Sequence, residues 1–294
     1  MNILQIACLF VSVLVSGSLG ANVNLVQLAE QLGATTLVQL VRRAGFEGTF
    51  SGGGPFTIFA PSNDAFAALP KDVLEKLSGD MALLKQVLAF HVTNGLAYSS
   101  GLTNNMLVDT LDSADKIRVN IYQKSGSPVV TVDGALVTMA DQNATNGVIH
   151  VIDHVMYPLP SGTIPLVAAV AKQFGTLVYA LQQGQLIPAL EGKGPFTVFA
   201  PNNAAFDKLP PNALSDLLSN QTALIAVLKY HVLAAADYSA GLSNGSVATL
   251  EGRSIQIDVT NDGVKVNNAT VVTADIPASN GVIHEIDSVL IPAN

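Results

Sequence analysis

A single cysteine, Cys8, occurs in 294 residues, and it falls in an uncharged, apolar N-terminal stretch. The chain beyond it has no thiol from which to build a disulfide framework, a cysteine-ligated zinc site or an iron–sulfur cluster. Cations are scarce as well: 14 Lys and Arg stand against 22 Asp and Glu, and the four Arg (Arg42, Arg43, Arg118, Arg253) form no stripe. Phosphate backbones are bound through clustered cations, so nucleic acid is not an expected partner. The carboxylates are scattered too, without the runs of like charge that mark a calcium- or mineral-binding tract. No Gly-x-Ser-x-Gly elbow is present, and the glycines before Pro55 and Pro195 lack the Lys-Ser/Thr ending of a phosphate loop; they read as flexible turns. His150 and His154 are four apart, a spacing that serves a metal on a helix but spans ~13 Å on a strand. No catalytic residue, cofactor or metal site is expected.

What the chain does have is itself twice. Gly54-Pro-Phe-Thr-Ile-Phe-Ala-Pro-Ser-Asn-Asp-Ala-Phe66 returns 140 residues later as Gly194-Pro-Phe-Thr-Val-Phe-Ala-Pro-Asn-Asn-Ala-Ala-Phe206. The offset falls to 134 at Asn146-Gly-Val-Ile-His150 and Asn280-Gly-Val-Ile-His284, so the second copy is six residues shorter. Such a period is far longer than a solenoid repeat, and each copy must close its own core.

Residues 1–20 read as a secretory signal peptide cleaved after Gly20; as an anchor helix the stretch is too short and lacks flanking positive charge. The C-terminal Ile286 to Asn294 carry no hydrophobic tail of the lipid-anchor type, so a secreted, extracellular product without a membrane anchor is expected. In that compartment the triplets beginning at Asn143, Asn220, Asn244 and Asn268 become expected glycosylation sites, with Asn220 and Asn244 in the most turn-like contexts.

Within the first copy, Leu25, Leu28, Ala29 and Leu32 keep helical spacing, as do Leu37, Leu40, Val41 and Ala44 after a break at Gly33. Phe56 to Phe59 reads as a buried strand stopped by Pro61, with Ser62, Asn63 and Asp64 offering cap acceptors for a helix through Ala65 to Ala68. Two more apolar helical faces lead to His91. From Leu107 the period changes to two, predicting strands at 117–122, 129–133, 135–139 and 148–155. Helices early and antiparallel strands late give an α+β class. The polar residues inside the apolar motifs (Asn63, Asn203, Asp153, Asp287) and the histidines His91, His231, His150 and His284 are expected to anchor backbone groups.

The pair Thr-x-Phe-Ala-Pro-x-Asn-x-Ala-Phe and Asn-Gly-Val-Ile-His-x-Ile-Asp resembles the two signature motifs of the fasciclin I domain, and both occur twice. The resemblance implies two tandem domains, each an antiparallel β-wedge with packed helices, over residues 24–159 and 166–292 with a linker at 160–165. It also implies a non-enzymatic adhesion or extracellular-matrix protein whose partners are matrix or cell-surface proteins, integrin-like receptors or glycans. Two pairs associated with integrin binding in the family match in the second copy, Asp275-Ile276 and Tyr230-His231. The first copy has Asp141-Gln142 and Phe90-His91 instead. Asp275 precedes the turn-rich Ile276-Pro-Ala-Ser-Asn280, which is expected to be exposed. The alternative function is a small-molecule or lipid carrier, or an enzyme with an unrecognised cleft, suggested by 49% hydrophobic residues and a mean hydropathy of +0.41.

Overall fold

The structure is a computed structural model and describes residues 22–124, 126–157, 159 and 162–292. The expected signal peptide lies outside the described residues, as does part of the expected linker. In the first domain the helical spacing produces α1 (Leu25–Gln31) and α2 (Thr35–Arg43), followed by the short α3 (Glu47–Gly52). Strand β1 (Phe56–Pro61) runs straight into α4 (Asn63–Ala67), because Ser62 accepts the Ala65 N–H at 3.1 Å and caps the helix. Then come α5 (Lys71–Gly79), α6 (Met81–Phe90) and the strands β2 (Val92–Asn94), β3 (Met106–Asp109), β4 (Lys116–Lys124), β5 (Ser127–Val132), β6 (Ala135–Ala144) and β7 (Gly147–Ile152).

These strands make one seven-stranded sheet in the order β2-β1-β7-β6-β5-β4-β3. Every neighbouring pair is antiparallel except β1 and β7, which pair in parallel from Phe56–Gly147 to Pro61–Ile152. The sheet is thus mixed, where alternation alone suggested an antiparallel one: the hairpins from β3 onward bring β7 back beside the strand that the helices separate from it. One cluster packs the helices against β1 and β7 around Leu25, Phe50, Phe66, Leu84 and Ile149, and a second fills the other face around Phe59, Phe90, Ile117 and Ile152. The buried β7 needs no alternation, and all six of its residues are covered.

The second domain repeats the plan with α7 (Ile164–Val170), α8 (Gly175–Gln183), α9 (Ile187–Leu190), β8 (Phe196–Pro201), α10 (Asn203–Asp207), α11 (Ala213–Ser219), α12 (Gln221–Tyr230), β9 (Val232–Leu233), β10 (Gly245–Ala248), β11 (Ser254–Thr260), β12 (Gly263–Val266), β13 (Ala269–Ala278) and β14 (Gly281–Ile286). Its sheet order, β10-β11-β12-β13-β14-β8-β9, is the same order read from the other edge. Helix α7 starts at Ile164, inside the stretch read as linker.

The glycines before β1 and β8 are not flexible turns. A side chain on Gly54 would sit 2.4 Å from the Asn146 carbonyl oxygen, and one on Gly194 would sit 2.2 Å from that of Asn280. They are places where two backbones touch.

Candidate functional site

The polar residues of the two motifs are hydrogen-bonded into the fold, in the same way in both copies. Asn146 accepts the Leu25 N–H and donates to the carbonyls of Phe50 and Gly53; Asn280 does the same with Ile164, Leu190 and Gly192. Asn63 and Asn203 accept the N–H groups of Thr36 and Thr176 at the start of the second helix of each domain. Asp153 and Asp287 accept from Leu136 and Thr270 across the sheet. Each bond satisfies a backbone group that burial would otherwise strand, at a cost of ~1–3 kcal/mol.

Four of the five histidines are similarly engaged at both ring nitrogens. His91 and His231 donate from Nδ1 to the carbonyls of Val87 and Val227 and accept at Nε2 the N–H groups of Met156 and Leu290. That pattern needs the neutral ring, and burial, opposed by the bond to the carbonyl, lowers each pKa from 6.5 to about 4. His150 and His284 stack on Phe59 and Phe199, accept the N–H of Asp141 and Asp275 at Nδ1, and donate from Nε2 to Ala97 and Asp237. His154 is the exposed exception and pairs with Asp153 at 2.7 Å. Among the described residues there is no cluster of three or more His, Cys, Asp or Glu placed to hold a metal ion.

The residues singled out for partner binding separate into two groups. Tyr230 and His231 are 5% and 2% exposed; the Tyr230 hydroxyl donates to the Ser254 carbonyl and accepts from Asn267, all within the second domain. Asp275 and Ile276 are half-buried and lie in strand β13 at a bulge against β14, not in an exposed turn. Asp275 has φ +61° and clamps the 3₁₀ turn Ser239–Gly241, accepting both the N–H and the hydroxyl of Ser239. Asp141, φ +58°, holds Ser99 identically in the first domain. Within this pair the first copy therefore departs from the second at Gln142, not at the aspartate, and within the other it departs at Phe90.

Sequence reasoning missed the contact between the domains. Strand β4 turns Arg118, Asn120 and Tyr122 to one face, as period two requires, and that face is covered by the second domain. Arg118 donates to the Ser279 carbonyl at 3.0 Å, Asn120 and Tyr122 donate to the Ala236 carbonyl at 3.1 Å, and the Tyr122 hydroxyl accepts the Tyr238 N–H. Tyr238, 0% exposed, donates to Asp133 at 3.3 Å. The other Asp133 oxygen is enclosed without a hydrogen-bond partner, and desolvation raises this carboxyl to about 7 against the pull of the Arg118 N–H, the Arg118 charge and the Tyr238 hydroxyl. Beside this contact opens a cleft of about 550 Å³, with Phe90, Asp133 and Met156 from the first domain facing Ser239, Asp275 and Ile276 from the second. A usable signal existed: Tyr122 stands where the second copy has Thr260, a change of size at an outward strand position.

The four glycosylation asparagines are all exposed. Asn220 caps α12, Asn244 accepts the Val259 N–H, Asn143 accepts the Tyr98 hydroxyl, and Asn268 sits in the β12–β13 turn. Among the described residues no single helix is long and apolar enough to cross a membrane.

Residues 32–158 and 172–292 each match the Fasciclin domain. The chain is 34% identical over 274 residues to the transforming growth factor-beta-induced protein ig-h3 of Sus scrofa, covering 92% of this chain and 39% of that protein. It is 34% identical over 264 residues to periostin of Homo sapiens, covering 89% of this chain and 31% of that protein. It thus spans less than half the length of these relatives. A solved FAS1 domain pair from the insect cell adhesion molecule Fasciclin I aligns over 90% of this chain and 98% of that one, at 21% identity and a TM-score of 0.44.

Proposed function

From the premise that this chain belongs to the fasciclin domain family, as a tandem pair, we propose that it is a secreted interaction protein of the extracellular matrix or cell surface, which binds its partners without transforming them. The observation that carries the reading is the use of the motif side chains. In both copies the Asn, Asp and His of the signatures hold backbone groups, which leaves the outer surfaces and the cleft between domains to meet a partner. Of the four residues singled out in the second domain, Asp275 and Ile276 are within reach at the cleft, while Tyr230 and His231 support the core beneath. Ile276 offers an apolar anchor at the cleft, which suits a protein receptor of the integrin type or a glycan, while the Asp275 carboxylate holds Ser239 beneath it.

The expected leader, with cleavage after Gly20, and glycans on Asn220 or Asn244 belong to the same proposal. Glycosidase treatment of native material should increase its gel mobility; unchanged mobility would remove the glycans from the account. The test of the function is affinity capture from extracellular extract on the immobilised, folded chain. Retention of a matrix, cell-surface or glycan component is expected, and repeated failure to retain any would defeat the proposal.

The cleft itself favours one second reading, a carrier of a small or lipid-like molecule, because its walls include Phe90, Met156, Tyr157 and Ile276. Native mass spectrometry of protein from its natural source distinguishes the two: a stoichiometric bound small molecule favours the carrier, and the bare mass favours the adhesion module.

A further inference from the structure

The contact between the two domains is heterologous: the first contributes the outward face of β4 and the β5–β6 turn, the second contributes the segment Ala236–Gly241 and Ser279. Because the domains are copies, each also carries the surface that the other uses. The offset of 140 makes Leu96, Tyr98 and Gly101 the counterparts of Ala236, Tyr238 and Gly241, and the offset of 134 matches Thr145 to Ser279. In the second domain Ala236 and Tyr238 are 2% and 0% exposed beneath the first; their counterparts Leu96 and Tyr98 are 51% and 37% exposed. Gly241 lets the Tyr122 ring approach to 2.3 Å of where a side chain would begin, and the space over Gly101 is open. A depression of about 340 Å³ borders this uncovered surface, lined by Pro55, Leu96, Tyr98 and Thr145.

The reciprocal surface, the outward face of β11, is also exposed but has changed. Sheet register makes Ile117 and Ile255 equivalent, through their pairing with Val108 and Val247, so Gln256, Asp258 and Thr260 replace Arg118, Asn120 and Tyr122. Asp258 cannot donate to a carbonyl as Asn120 does, and Thr260 cannot reach as far as Tyr122. Asn268 takes the place of Gly134, over which the Tyr238 ring lies 2.6 Å from a side-chain position, and Asn267 is turned into its own domain toward Tyr230. A second copy of this chain therefore offers β11 as a poor fit to Leu96 and Tyr98.

From this asymmetry we infer that the first-domain surface of Leu96, Tyr98 and Thr145 is a docking site for the outer strand face of a fasciclin-type domain from another protein. That face carries a guanidinium, an amide and a phenol at alternate positions, as Arg118, Asn120 and Tyr122 do. The β11 face closes the other end of the pair to further growth. The partner's donors would meet the carbonyls of Leu96 and Thr145, and its apolar edges would cover the Leu96 side chain and the Tyr98 ring.

The test supplies such a face on the chain itself. Full-length protein is made in a bacterium, so that no glycan on Asn143 covers Tyr98, and Gln256→Arg, Asp258→Asn, Thr260→Tyr and Asn268→Gly are combined. Sedimentation velocity should show wild type as a monomer and the variant as a concentration-dependent head-to-tail series, returned to monomer by adding Leu96→Arg. A lighter variant, Asp258→Asn with Asn268→Gly, removes only the obstructions and should show weaker association with the same Leu96 dependence; it serves if the fourfold variant fails to fold. Folded variants that stay monomeric, or that associate regardless of Leu96→Arg, would overturn the inference.

Discussion

Asp275 was legible as a polar residue beside an apolar one, but not as the clamp of a turn 36 residues earlier in the chain. The reason is physical: a bulge and a positive φ turn the side chain inward, and nothing in Ile276-Pro-Ala-Ser-Asn280 encodes the Ser239 that it meets. The identical clamp of Asp141 on Ser99 follows from the duplication. Removing either carboxylate strands the serine N–H, so Asp275→Ala and Asp141→Ala should each destabilise their domain by roughly 1–3 kcal/mol in urea unfolding. Equal midpoints for mutant and wild type would show that the clamp is ornamental. Ile276 is different, because the first domain already places Gln142 at that strand position. Ile276→Gln should keep the fold but lower the melting temperature slightly, because Ile276 also packs against the core of the second domain.

At the scale of elements, helical spacing marked α1, α2, α5 and α6 and alternation marked β4 to β6. The short α3 and α9, with four to six residues each, were invisible because neither completes two turns of periodic pattern. The parallel pairing of β1 with β7 was equally unreadable, since it depends on where a long chain returns and not on local pattern. Its trace in sequence is Gly147, which opens β7. A side chain there would begin 2.1 Å from the Phe56 carbonyl oxygen and 2.8 Å from Leu25. Gly147→Ala must push β1 and α1 away from β7, with an expected loss of about 1–3 kcal/mol or more. Hydrogen exchange should show the loosening first in α1 and β1; unaltered protection there would refute the close approach.

For the whole molecule, pH acts in two opposed directions. His91 and His231 are held neutral, with pKa values of about 4 against 6.5 unfolded. The unfolded chain therefore takes up protons that the folded chain refuses, and this stability, present above pH 6.5, is lost as pH falls through about 4. Asp133 behaves oppositely: its folded pKa of about 7 lies above the unfolded 3.8, so the stability it contributes is present in acid and lost as pH rises through about 7. Its oxygen without a partner lies at the domain contact, and the contact should loosen between about pH 6 and about pH 8. Small-angle scattering should detect a wider spread of domain positions at the higher pH, absent in Asp133→Asn. A pH-independent wild-type profile would contradict this role. The contact was hidden in the sequence because its partners lie more than a hundred residues apart, although the divergence of Tyr122 from Thr260 marked where to look.

If the chain is a binding module whose reachable site lies at the cleft while the signature motifs hold the fold, cells should attach to surfaces coated with the full chain. Cells should attach to wild type and attach markedly less to folded Ile276→Gln. Folded wild-type protein that holds no more cells than an uncoated surface would contradict it.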